Sequence, residues 1–112
     1  MRRQLIALVE RIARSDRTFE PINGRWHGTC LICNGRLAFD ANRPEGVNVE
    51  HIVPRNGGGT NDLRNLALTH ASCNAEKGRN WDDRRARRGR DVEYARLIPR
   101  LQAERARRWC DP

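Results

Sequence analysis

Two short motifs, Cys30-x-x-Cys33 and His70-x-x-Cys73, place the strongest condition on what this chain can fold into. Each is a pair of soft donors at the spacing of a zinc-binding turn, and together they supply the four ligands of a tetrahedral zinc. No coordination position is left for water, so the expected zinc is structural and staples the Cys30 turn to the segment that ends at Cys73. The clasp matters because the chain has only 112 residues. At that size folding buries roughly 60–70% of the surface the unfolded chain exposes, and metal binding becomes a large part of folding. Cys110 is left over as a free thiol, and His27, close before Cys30, reads as a loop residue.

Thiols at metal spacing rather than in a paired disulfide set fit a reducing compartment, and the expected location is the cytoplasm. Met1-Arg2-Arg3 is followed by Glu10, Arg11, Arg14 and Asp16 instead of an unbroken apolar stretch, so no secretory leader is read. No run is long enough to cross a bilayer, and no membrane partner is expected.

The partner suggested by charge is a polyanion. Lys and Arg number 22 against 14 Asp and Glu, a net charge of +8, and 21 of the 22 are Arg, whose planar fork matches phosphate oxygens. Half of the twelve residues from Arg79 to Arg90 are Arg. Arg79, Arg84, Arg85 and Arg87 there, with Arg55 and Lys77 nearer the centre of the chain, are the candidate phosphate contacts, which would position a duplex without reading its sequence.

Periodicity divides one domain into three parts. Residues 1–29 hold an amphipathic helix, with Leu5, Leu8, Val9 and Ile12 on one stripe, and an irregular connector whose Phe19 and Trp26 cover the core. Residues 30–78 hold the zinc turn, in which Gly35 is expected to supply an unusual backbone angle, and a short strand at Leu37–Phe39. A strand through Val47 and Val49 follows, stopped by Pro54, then an irregular loop around Gly57-Gly58-Gly59 and a second strand at Leu66–Leu68. A helix capped by Thr69 and ended by Gly78 completes this part. Residues 79–112 hold the Arg-rich segment and a helix from Asp91 carrying Tyr94, Leu97, Ile98 and Leu101 on one face, kinked or split at Pro99.

Between the two zinc pairs stand Glu50-His51-Ile52-Val53-Pro54, the triple glycine, Asn65-Leu66 and Cys73-Asn74-x-x-Lys77. In this order the residues resemble the HNH endonuclease family, in the form whose finger is tied by zinc. The resemblance implies an α+β fold: a ββα-metal, treble-clef-like core on a structural zinc, here flanked by N- and C-terminal helices. It implies hydrolysis of DNA phosphodiesters, leaving 5′-phosphate and 3′-hydroxyl ends. His51 falls where the family has its general base, Asn65 where an Asn steadies the loop that holds the base, and Asn74 and Glu50 where residues bind a catalytic Mg²⁺ or Mn²⁺. Asn74 replaces the more usual His, and Glu50 the more usual Asp. The expected partner is double-stranded DNA, with monomer and dimer both open.

Elementary chemistry points the same way. Phosphodiester hydrolysis needs an activated water, a cation to neutralise the phosphoryl oxygens and stabilisation of the departing oxygen. Imidazole titrates near neutral pH, and carboxylate and amide oxygens suit a hard cation. Glu50 and His51 are neighbours on a strand, however, and share a site only if the strand ends or twists between them. The G-x-S-x-G elbow, H-E-x-x-H, the P-loop and the deaminase signature are all absent. The rival reading is a zinc-dependent nucleic-acid-binding module that does not cut.

Overall fold

In the computed structural model, residues 2–83, 85 and 88–112 are described. Helix α1 (Arg2–Arg14) leads into β1 (Glu20–Ile22), β2 (Arg25–Thr29) and β3 (Arg36–Asp40), an antiparallel sheet in that order. Then come β4 (Val47–His51) and β5 (Leu66–His70), a separate antiparallel pair, helix α2 (Ala71–Lys77) and helix α3 (Asp91–Arg108). The α+β class and the ββα order of β4, β5 and α2 agree with the sequence expectation.

The core explains the strand sequences. Val9 and Ile12 of α1 meet Trp26, Leu37, Phe39, Val47, Leu66 and Leu68, while a second cluster joins Leu31, Ile52 and Ala67 to Leu101 of α3. Strand β5 therefore lies between two apolar clusters, with Leu66 and Leu68 turned to one and Ala67 to the other, which is why it reads as a continuous buried run rather than an alternation. Leu5, at the start of the α1 stripe, is left exposed.

Several local expectations are corrected. The connector is a hairpin: Asn23 and Gly24 both have positive φ (51° and 77°), the geometry of a two-residue turn matched to strand twist, and it pairs β1 with β2. Thr69 is the buried penultimate residue of β5 and His70 stands at the N-cap of α2, so Thr69 caps nothing. Gly78 keeps right-handed helical angles, and the chain continues from α2 into a π-helical turn, Gly78–Asp82. Pro99 lies inside α3, which runs on without a break. The Leu97, Ile98 and Leu101 face of that helix packs as expected.

Two arginines of α3 hold the domain together from within. Arg105, 2% exposed, donates to the carbonyls of Leu66, Ser15 and Leu63 and to the Ser15 hydroxyl. Arg108, equally buried, reaches the carbonyls of Thr29 and Cys30, the Asn34 amide oxygen and the carboxylates of Glu104 and Asp16. Their charge faces inward, so it is taken from the pool that could meet a polyanion.

Candidate metal centre and active site

Cys30 and Cys33 sit on the turn between β2 and β3, His70 ends β5 and Cys73 lies in the first turn of α2, so two stretches of chain far apart in sequence converge. The donor atoms of these residues all lie within 4.8 Å of one another, and they form the one group of three or more ligand-type side chains among the described residues. His70 Nδ1 stands 3.4 Å from Cys33 Sγ and 3.7 Å from Cys73 Sγ. Its Nε2 lies 2.8 Å from the Arg36 carbonyl, an acceptor that fixes the proton on Nε2 and leaves the Nδ1 lone pair to the cluster.

The cluster treats two of its sulfur atoms oppositely. The Gly35 N–H donates to Cys33 Sγ at 3.3 Å and is the main influence that lowers the Cys33 thiol to about 7. Burial, followed by the nearby Cys30 thiol, pushes Cys73 up to about 12. Crowded thiolates resist forming together unless a cation neutralises them, and this donor set fits Zn²⁺. The positive φ in the turn belongs to Asn34 (60°), not Gly35. A Cβ at Gly35 would stand 3.1 Å from Cys33 Sγ, a tight approach to a side-chain atom of the cluster. His27 lies on β2, outside the cluster.

Glu50 is 2% exposed and points inward from β4. Its Oε1 accepts from Lys77 Nζ at 2.9 Å, and the same ammonium donates to the His51 carbonyl (3.2 Å) and to both oxygens of Asp82 (2.7 and 3.0 Å). The other oxygen, Oε2, is buried without a hydrogen-bond partner among the described residues. Desolvation raises the Glu50 carboxyl above the ordinary glutamate value against the pull of Lys77; Asp82 adds to the rise and His51 opposes it. Lys77 is thus not the surface phosphate contact expected: its donors are spent in a cradle of four oxygens, and it is 3% exposed. Asn74, three residues before Lys77, shares its helical face, while Cys73 is turned about 100° away toward the cluster.

The β4–β5 ladder keeps register through its last pair, His51↔Leu66, and β4 ends at His51, so the strand ends at the base candidate instead of continuing past it. His51 is half-buried, with Nε2 2.8 Å from the Asn61 amide oxygen. The loop between them is pinned by Asn65, which accepts from the Val53 N–H (2.9 Å) and donates to the carbonyls of Val53 (3.1 Å) and Thr60 (2.8 Å). Gly59 is obligatory here, because a Cβ would fall 1.8 Å from the Val53 carbonyl oxygen.

Of the basic candidates, Arg55, Arg79 and Arg85 are exposed, and Arg84 and Arg87 lie outside the described residues. Sequence reasoning missed Asn61, Asp82 and the inward roles of Arg105 and Arg108.

Two strands and a helix beside a Cys₃His cluster able to hold zinc define a ββα-metal module. Residues 30–80 match the family model described as HNH endonuclease, so across that stretch the chain is similar to an HNH domain. No curated protein and no solved structure gives a match.

Proposed function

We propose that the chain is a divalent-metal-dependent DNA endonuclease in which His51 is the general base. The HNH match supports nuclease activity in general. The observation that carries the finer reading is the hold on His51: an imidazole at the end of β4, bonded through one nitrogen to Asn61 beside a loop fastened at three points by Asn65.

In this reading His51 takes a proton from a water molecule, the water oxygen attacks phosphorus, and the bond to the 3′ oxygen breaks as that oxygen takes a proton from solvent. Asn65 keeps the loop beside the base in place. Buried Glu50 Oε2, which has no hydrogen-bond partner among the described residues, and the Asn74 amide are the oxygens this chain offers a hard cation such as Mg²⁺ or Mn²⁺. Such an ion neutralises charge on the phosphoryl group and the leaving oxygen. Exposed Arg55, Arg79 and Arg85, with Arg84 and Arg87, would hold the duplex by its phosphates.

His51→Ala is expected to abolish nicking of supercoiled plasmid in Mg²⁺ or Mn²⁺ while leaving DNA affinity within about twofold, since a positioned base contributes on the order of 10²–10⁴ in rate and little to binding. Undiminished cutting would take His51 out of the mechanism. The ion pair on Glu50 favours one rival, the non-cutting binding module, because Lys77 already neutralises the carboxylate an ion would use. That rival is adopted if the wild-type protein binds DNA and never nicks it.

Log affinity for duplex DNA should fall linearly with log salt, with a slope of about −0.9 for each phosphate contacted. Fluorescence anisotropy across a salt series measures it, and a flat response would point to an acidic protein partner instead.

A further inference from the structure

We propose that Asn61 is the positioning residue of His51, its amide oxygen holding the Nε2 proton so that Nδ1 is the nitrogen left to act as base. The inference rests on the reading of His51 as general base. Its geometric ground is the 2.8 Å approach of Asn61 Oδ1 to His51 Nε2. A neutral imidazole has one N–H and one lone pair, and an amide oxygen can only accept, so this contact fixes the proton on Nε2.

The path of the loop serves this contact. Gly58 turns the chain in the left-handed region (φ 89°), Gly59 passes close under the Val53 carbonyl, and Asn65 grips the Thr60 carbonyl immediately before Asn61. The chain thereby doubles back and delivers Asn61 to His51. The Asn61 side chain is exposed and has no other hydrogen bond among the described residues. Asn65, not Asn61, fastens the loop, so Asn61 can be replaced without removing the loop's anchors.

The contact acts at two moments. Before reaction it selects the tautomer and sets the ring plane. As Nδ1 takes the proton from water, the imidazole becomes a cation and the Nε2–H bond to Asn61 becomes charge-assisted and stronger. The amide thus favours the state reached during proton transfer over the resting state, which is the condition for a rate effect.

The test uses the full chain loaded with zinc and compares Asn61→Ala, Asn61→Asp and the wild type in nicking of supercoiled plasmid with excess enzyme and Mn²⁺ across pH. Asn61→Ala is expected to lower the maximal rate about 10- to 100-fold, a part of what a positioned base contributes, with plasmid affinity unchanged. Asn61→Asp, which still accepts the Nε2 proton, is expected to recover most of the rate. Its carboxylate stabilises the imidazolium, so the acid-side limb of its profile should move to higher pH by about one unit. Nitrogen NMR of the His51 ring, identified by its loss in His51→Ala, should show the Nε2–H tautomer in the wild type and a mixture in Asn61→Ala.

A wild-type protein that cuts, with Asn61→Ala cutting equally fast or showing an unchanged tautomer, overturns the proposal alone. Equal loss in both variants, with a lowered melting temperature and no shift in the Asn61→Asp profile, also overturns it by making Asn61 a folding residue. A wild-type protein that never cuts removes the nuclease reading itself, and the catalytic role of Asn61 with it.

Discussion

Cys30→Ser is expected to leave the protein without a cooperative thermal transition, and extraction of zinc by a strong chelator is expected to do the same. Cys30 is fully buried at the meeting point of β2, β5 and the turn, and its Sγ accepts from the His70 N–H at 3.4 Å. Structural zinc in small domains contributes apparent binding energies of about 10–16 kcal/mol, comparable with or larger than the roughly 5–15 kcal/mol by which a whole domain is stable. Circular dichroism melts with chelator, followed by zinc add-back, measure the effect. A metal-free protein, verified by mass spectrometry, that melts as sharply and as high as the loaded one would show that the four side chains do not clasp a stabilising ion.

The second large effect is expected at Lys77, the chain's single lysine. Lys77→Met leaves Glu50 as a charge with side-chain exposure of 2% and no counterion, while Asp82, at 19%, keeps some water. Removing one partner of a buried pair typically costs about 3–5 kcal/mol, because the remaining charge is stranded. Adding Glu50→Gln should recover much of the loss, and denaturant melts of the single and double variants measure the coupling.

The pH dependence has a definite sign. Burial sets the folded Glu50 carboxyl above its ordinary value, so the folded state binds that proton more tightly. The associated stability is fully present below the unfolded value and is lost as pH rises through the folded one. Lys77 supplies the chief opposing pull, and without it the carboxyl moves further up. The Lys77→Met deficit should therefore be greatest at neutral pH and above, and should shrink as pH falls through the range in which folded Glu50 protonates. A deficit independent of pH, and untouched by Glu50→Gln, would mean that Lys77 acts through packing alone.

The parts legible in the sequence were those written in local spacing. Cys30/Cys33 and His70/Cys73 announce themselves by donor type and interval, and Val47 and Val49 by alternation with polar neighbours. The β1–β2 hairpin was also written there, as Asn23-Gly24 between two short extended runs, but Pro21 and Gly28 disguise those runs as a connector. What stayed hidden depends on long-range placement. Nothing near Lys77 says that Glu50, far back in the chain, will close over its ammonium, and nothing in Thr60-Asn61-Asp62 says that the loop doubles back to His51. Charge is silent on placement for the same reason: composition counts arginines without saying which way they face, and Arg105 and Arg108 face inward.

Those two side chains carry a lesson about where this molecule can be cut. The stretch that matches the family stops at residue 80, yet Arg108 grips the carbonyls on which the Cys30 turn hangs, and Arg105 ties the entrance of β5 to the end of α1. An excised 30–80 fragment would carry every recognisable signature and still lack its own keystones, so the unit of recognition here is smaller than the unit of folding.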